Sequence, residues 1–79
     1  MGFSVYLQSS KKKYKIKDMN DNDTISTMIS KLKAKINSTK LILCIFDSVP
    51  LEPNNTLKFY GIKRHSVIQY SEKYKGGNL

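Results

Sequence analysis

Two stretches near the N-terminus alternate between apolar and polar side chains, with the period of a half-buried strand. The first stretch has its apolar residues at Phe3, Val5 and Leu7. The second has Tyr14 and Ile16 on one side and lysines on the other. The polar run between them, residues 9–13, is typical of a turn. The pattern therefore predicts a β-hairpin whose solvent-exposed face is rich in lysine.

The spacing of apolar residues then changes from two to between three and four, which predicts an amphipathic helix. Its apolar stripe consists of Ile25, Met28, Ile29, Leu32 and Ile36. A side-chain oxygen of Asp23 or Thr24 is expected to accept one of the first free backbone N–H groups. Asp21 and Asp23 should also complement the positive end of the helix dipole. Asn37 is the predicted C-cap.

Residues 41–46 form a predicted third strand with apolar side chains on both faces. Alternation points Ile42 and Cys44 toward the core. It points three other side chains outward, namely Leu41, Leu43 and Ile45. An outward apolar row indicates an interface, unless the C-terminal tail or the loop 47–53 covers it.

The rest of the chain supplies short elements and one last strand. Residues 47–55 are rich in turn formers, and residues 66–74 resemble a strand. A short turn of helix or a compact loop between them has the apolar anchors Leu57, Tyr60 and Ile62. We predict an α+β fold, in which one amphipathic helix packs across a four- to five-stranded mixed sheet. The expected organisation is one domain, residues 1–75, followed by a flexible tail, residues 76–79.

Composition narrows the classes of function. Fourteen Lys and Arg residues against six Asp and Glu give a formal net charge of +8, and all cations but Arg64 are lysine. Such a balance suits nucleic acid, an anionic membrane surface or an acidic protein, although a biased coding composition would also produce it. The single cysteine, Cys44, cannot form an internal disulfide, which favours a reducing compartment, the cytoplasm or nucleus.

Side chains with catalytic or metal-binding chemistry are sparse. His65 is the only histidine and is expected in a turn, and no Cys/His pair has metal-ligand spacing. No glycine loop that could hold a phosphate is present, and no apolar segment approaches the length of a membrane span. We expect a monomeric protein that is not an enzyme and carries no cofactor or metal.

Three stretches in order resemble the ubiquitin family. They are the helix start DTI, the segment LEPNNTLKFYGI of residues 51–62, and the segment HSVIQYSEKYKGG of residues 65–77. From Leu51 to Gly77 the alignment needs no gap, and the similarity covers nearly the whole chain. The resemblance implies a β-grasp fold. A longer first hairpin and the lack of paired prolines after the helix mark a divergent relative.

The resemblance implies a role for the C-terminal glycines. Modifiers of this family form an isopeptide bond through a terminal glycine carboxylate, here Gly77, with Gly76 as its slim neighbour. Their partners would be activating, conjugating and processing enzymes. Lys73 and Lys75 stand where the family has arginines that meet acidic partners. Three readings of the residues after Gly77, Asn78-Leu79, remain open: a precursor tail that a protease trims, the start of a linker in an unconjugated domain with its own receptor, or a cut through a longer protein.

The resemblance also implies a recognition surface on the exposed face of the sheet. Its positions correspond to Gln8 or Leu7, Ile45, Gln69 and Ser71, of which Ile45 keeps the family's apolar character. The predicted partner-binding residues are Leu43, Ile45, Gln69, Ser71, Lys73 and Lys75. The family's principal chain-linkage lysine is replaced by Val49, and a second linkage lysine aligns with Arg64.

A different class of function would be nucleic-acid binding through the basic residues. Candidates for contacts to nucleic acid or an acidic partner are Lys11, Lys12, Lys13, Lys15, Lys17 and Arg64, with Lys73 and Lys75 of the tail. Lysine rather than arginine favours diffuse attraction over bidentate recognition of bases or phosphates. Tyr14, Tyr70 and Tyr74 are available for stacking, but they form no recognisable stacking motif.

Overall fold

The computed structural model describes residues 2–73, and these form a mixed sheet with one long helix across its inner face. The elements are β1 Phe3–Gln8, β2 Lys13–Met19, α1 Ile25–Ile36, β3 Leu41–Phe46, β4 Val49–Pro50, α2 Leu57–Tyr60 and β5 Val67–Lys73. The five strands lie in the order β2-β1-β5-β3-β4. β1 and β5 are parallel at the centre, and the other pairs are antiparallel. This is the predicted β-grasp arrangement.

The core lies between α1 and the inner face of the sheet. The hairpin contributes Val5, Leu7, Ile16 and Met19, and α1 contributes Ile25, Met28 and Leu32. The later elements contribute Ile42, Cys44, Leu57, Ile62, Ile68 and Tyr70. Ile29 and Ile36, the other members of the predicted helical stripe, are partly buried and pack against this cluster. Full burial of each large apolar side chain contributes about 1.5–3 kcal/mol, so this layer is the main source of stability.

Of the two residues predicted to cap the start of α1, only Thr24 does so. Thr24 is the N-cap, and its hydroxyl accepts a hydrogen bond from the Thr27 N–H at 3.2 Å. The Asp23 carboxylate instead accepts from the Asn20 N–H at 2.8 Å and closes the preceding turn. Asp21 and Asp23 precede the N-cap, and the first helical turn itself holds no acidic residue, so their dipole role stays a prediction. Asn37 ends the helix in the left-handed conformation, as predicted, with φ 55°.

A bulge interrupts the pairing of β1 with β2. The register shifts between Phe3 and Val5, and Asp18 adopts a φ of 60°. The Lys31 ammonium donates to the backbone carbonyls of Lys17 and Asp18, at 3.1 and 2.9 Å. The extra residue lets Ile16 and Met19 both face the core although they are three positions apart.

The loop after β4 is held by the tyrosine of α2. The Tyr60 hydroxyl accepts from the Glu52 N–H at 2.7 Å and from the Asn55 amide at 3.1 Å. Leu51 packs against the core. The Asp23 carbonyl accepts from the Leu57 N–H at 2.9 Å, which joins α2 to the start of α1.

Gly61 ends α2 with a φ of 73°, a conformation that costs other residues roughly 1–2 kcal/mol. Because no atom lies within 4 Å of a Cβ built at this position, only the backbone opposes a side chain there. We expect Gly61→Ala to lower the free energy of unfolding by about 1 kcal/mol. Urea denaturation measures the change. Gly61→Asn is the matched control and should cost less, since asparagine tolerates the left-handed region; equal losses for both variants would contradict this explanation.

Candidate functional site

The solvent-facing side of β3 and β5 carries an apolar row beside a polar one. On β3 the outward side chains are Leu41, Leu43 and Ile45, which are 46–47% exposed. Their direct partners on β5 are Lys73, Ser71 and Gln69. We call these six residues the β3–β5 face. The row faces outward because the alternation of β3 assigns Ile42 and Cys44 to the core.

A shallow depression of about 380 Å³ lies on this face. Its lining consists of Leu43, Ile45, Gln69, Tyr70, Ser71 and Lys73. Five of the six predicted partner-binding residues are therefore neighbours in the structure. Lys75, the sixth, and the conjugation residues Gly76 and Gly77 lie outside the described residues, and their roles remain predictions.

The outer surface of the sheet changes from charged to apolar along one transverse line. Successive strand pairings join Lys13, Gln8, Gln69, Ile45 and Pro50 across all five strands. With neighbouring strands about 4.8 Å apart, Lys13 and Ile45 are separated by roughly 14 Å. The cations of β2 thus stand well apart from the apolar row of β3.

The first hairpin presents a polar residue to this surface. Leu7 is completely buried, whereas Gln8 pairs with Gln69 on the outer side of the sheet. Of the two candidates for the family's patch leucine, the exposed position therefore belongs to Gln8. The face lacks an apolar group from β1 at this level, which distinguishes its chemistry from the family patch.

An aromatic and cationic cluster surrounds Tyr6 in the middle of the sheet. The Lys13 ammonium lies 5.0 Å from the centroid of the Tyr6 ring. The His65 ring lies on the same tyrosine with 6.2 Å between centroids. His65 occupies the predicted turn, with a φ of 67°, and its N–H donates to the Ser4 carbonyl at 2.7 Å.

The structure separates the basic candidates into different regions. Lys11 and Lys12 lie in the hairpin turn, where both backbone N–H groups donate to the Ser9 hydroxyl. Three further candidates lie on β2, namely Lys13, Lys15 and Lys17. Arg64 precedes β5, near the start of β1, and so lies at the opposite end of β1 from the turn. Arg64 and the turn lysines therefore do not form one patch.

Sequence reasoning missed the exposed ring of Phe59. It is 68% exposed and contacts Tyr60 edge-on, with 5.0 Å between ring centroids. The helical spacing of α2 could have indicated this exposure, because Leu57 and Tyr60 are three residues apart and share the side of the helix that faces the protein. Phe59 is then left on the outside. Val49, at the replaced linkage position, is also exposed, at 46%.

The thiol of Cys44 has low reactivity in the folded chain. Cys44 is only 4% exposed, and burial raises the pKa of its thiol from the ordinary value of 9.0 to about 12. Because the thiolate is the reactive form, this side chain is unsuited to act as a nucleophile. Among residues 2–73, no three His, Cys, Asp or Glu side chains are grouped so that they could hold a metal ion. No helix in this part of the chain is long and apolar enough to span a membrane.

Comparisons with known proteins support the fold. No protein-family model and no curated protein sequence matches this chain. Among solved structures, 332 chains match it. One of them is a protein designed de novo on the basis of ubiquitin, with a TM-score of 0.81 and 18% sequence identity. The match covers 99% of this chain and 96% of the designed one. At this identity the likeness shows a ubiquitin-like β-grasp fold and nothing finer.

Proposed function

We propose that this chain is a ubiquitin-like protein modifier, recognised by its partners through the β3–β5 face and joined to them through Gly77. The observation that carries the proposal is the half-exposed row of Leu41, Leu43 and Ile45 on a ubiquitin-like fold. Apolar surface that leaves water on binding favours the complex, although the loss of freedom on association offsets part of this gain. The row offers a partner that gain, and Lys73 at its edge adds attraction for a carboxylate.

The tail supplies the acyl donor of the proposed reaction. β5 ends at Lys73, and Gly77 follows four positions further along the chain. A processing protease first hydrolyses the Gly77–Asn78 bond to release the carboxylate. ATP adenylates this carboxylate with loss of pyrophosphate, and an enzyme cysteine then displaces AMP to form a thioester. Attack by a substrate amine forms an amide and releases the thiol.

The chain itself contributes no nucleophile to this sequence of steps. The attacking thiols and amines belong to the activating, conjugating and substrate proteins. Gly76 and Gly77 contribute a backbone without Cβ atoms, which a narrow enzyme channel can admit. The buried thiol of Cys44 stays out of this chemistry, since the pKa of about 12 leaves it protonated at neutral pH.

The proposal is tested in cells of the source organism with epitope-tagged chains. Chains that end at Gly77 and chains that end at Leu79 should both give covalent conjugates. Mass spectrometry should find Gly77 linked to lysine side chains of other proteins. Gly77→Ala should abolish the conjugates. Ser71→Asp, a second variant, places a charge in the depression of the β3–β5 face and should weaken noncovalent partner binding without unfolding the chain.

The outcomes separate conjugation from recognition. Identical conjugates from the chain with Gly77→Ala would contradict the acyl-donor role. The alternative function is an unconjugated interaction domain of a larger protein, read through the same face. It would be favoured if no conjugate forms and partners are bound with or without Gly77→Ala but are lost with Ser71→Asp. Partner binding that is indifferent to Ser71→Asp would contradict the recognition face.

A further inference from the structure

Charge is unevenly distributed over the molecule. The chain contains no Asp or Glu from residue 2 to 17 or from residue 24 to 46, although eight of its lysines fall in the part from 11 to 35. The hairpin turn supplies two of these lysines, and β2 and the second half of α1 supply three each. β2 and α1 are neighbours in the structure. The edge of the sheet next to α1 is therefore strongly positive.

A shallow cleft of about 410 Å³ runs between this edge strand and the helix. Its lining consists of Lys15, Ile16, Lys17, Lys31, Ala34 and Lys35. We call its four lysines the basic face. Among residues 2–73, no carboxylate lines the cleft to neutralise them. Lys31 is held in place by the carbonyls of Lys17 and Asp18, so its charge stays at the wall of the cleft.

The basic face lacks the anchors that a protein partner requires. Protein interfaces depend on a few buried aromatic or large apolar side chains at their centre. Ile16 is only 2% exposed, and the other apolar residue of the cleft, Ala34, is small. Among the described residues, the exposed large apolar side chains lie on β3, β4 and α2. A ligand of the basic face must therefore be held by charge.

We propose that the basic face binds the phosphate backbone of nucleic acid without reading its sequence. Lys15 and Lys17 lie two positions apart on β2, with roughly 7 Å between them. Their ammonium groups can thus contact separate phosphates of one strand. Lysines act as point charges on flexible stems, which suits contacts to phosphates more than bidentate recognition of bases. The site is separate from the β3–β5 face and does not depend on the modifier function.

The test measures binding of a fluorescein-labelled DNA duplex of about 20 base pairs by fluorescence anisotropy, between 25 and 250 mM salt. Affinity should fall with a log–log slope of about −0.9 for each phosphate neutralised. The triple variant Lys15→Gln, Lys17→Gln and Lys35→Gln removes three exposed cations and leaves Lys31 in its structural contacts. At 50 mM salt its affinity for the duplex should be at least about tenfold lower. The magnitude of its log–log salt slope should be smaller by about 2 to 3.

A second triple variant with the same net charge serves as the matched control. It combines Lys58→Gln, Lys63→Gln and Arg64→Gln, which are all exposed and do not line the cleft. This control should keep most of the affinity and slope. Equal losses for both variants, or no binding at 25 mM salt, would overturn the proposal. Competition by poly-glutamate as effective as that by unlabelled DNA would also overturn it, because the face would then bind acidic protein. Circular dichroism verifies that both variants are folded.

Discussion

Leu32→Ala is expected to lower the free energy of unfolding by about 2–5 kcal/mol, a large fraction of the 5–15 kcal/mol typical of a small domain. Leu32 is completely buried where α1 meets the sheet. Truncation removes apolar contacts with the sheet and leaves a cavity that the rigid strands cannot fill. Equilibrium urea denaturation followed by far-UV circular dichroism measures the loss.

The matched control is the same substitution on the other side of the sheet. Leu43 is 46% exposed on the β3–β5 face, so Leu43→Ala should cost less than about 1 kcal/mol. The contrast tests the assignment of inner and outer faces on which the recognition surface depends. Similar losses at both positions would mean that Leu43 is covered in solution, and the proposed face would then not be free.

The second large effect concerns the reactivity of Cys44. Its pKa is raised from 9.0 to about 12, so at pH 8 the reactive thiolate is roughly a thousandfold rarer than in the unfolded chain. Burial also blocks the approach of a reagent. Reaction with a disulfide reagent at pH 8 should therefore be at least about a thousandfold slower in buffer than in denaturant. A native rate within tenfold of the denatured rate would contradict the buried position.

The same shift makes stability depend on pH in alkaline solution. The thiol keeps its proton in the folded state up to a pKa of about 12, but loses it near 9.0 in the unfolded chain. Between these values the unfolded state binds fewer protons, so stability falls as pH rises, by up to about 1.4 kcal/mol per pH unit. Well below pH 9 the thiol is protonated in both states and contributes no slope. Cys44→Ala should remove this part of the slope, while the titration of lysines and tyrosines remains common to both proteins.

The fold could be predicted because the apolar periodicity is strong and consistent. A stripe at helical spacing defined α1, and alternation gave the inner and outer sides of β1 and β3. Single-residue choices could not be predicted in the same way. Asp23 and Thr24 both carry an oxygen that can cap a helix, and only the path of the preceding turn assigns the Asp23 carboxylate to Asn20.

The bulge and the hairpin register had no signal in the periodicity. Alternation placed Leu7 with the inward side chains of β1, but only the pairing shows that Gln8 lies opposite Gln69 at the level of the β3–β5 face. Asp18 adopts its left-handed φ because the bulge needs it and Lys31 holds the two carbonyls there. These contacts join residues 13 or more positions apart, beyond what a local pattern encodes.

The candidate site was predictable where it depends on alternation and less so where it depends on tertiary position. Leu43 and Ile45 face outward as their spacing in β3 predicted. Charge along the sequence grouped Arg64 with Lys11 and Lys12 of the turn, whereas the sheet places Arg64 at the opposite end of β1 from that turn. The charge pattern of the sequence also did not group Lys31 and Lys35 with the lysines of β2. Their proximity to β2 arises only when α1 packs across the sheet.

The two edge strands of the described sheet have a consequence for solubility. β4 is only two residues long and contains Pro50, which has no N–H to offer a further strand. β2 is longer, but Lys13, Lys15 and Lys17 alternate along it, and a second copy paired there would bring like charges together. The three lysines thus also disfavour the edge-to-edge pairing of copies that would lead to fibres. Neutralising them removes that protection, and a chain engineered to lose its charge at β2 would exchange solubility for self-assembly.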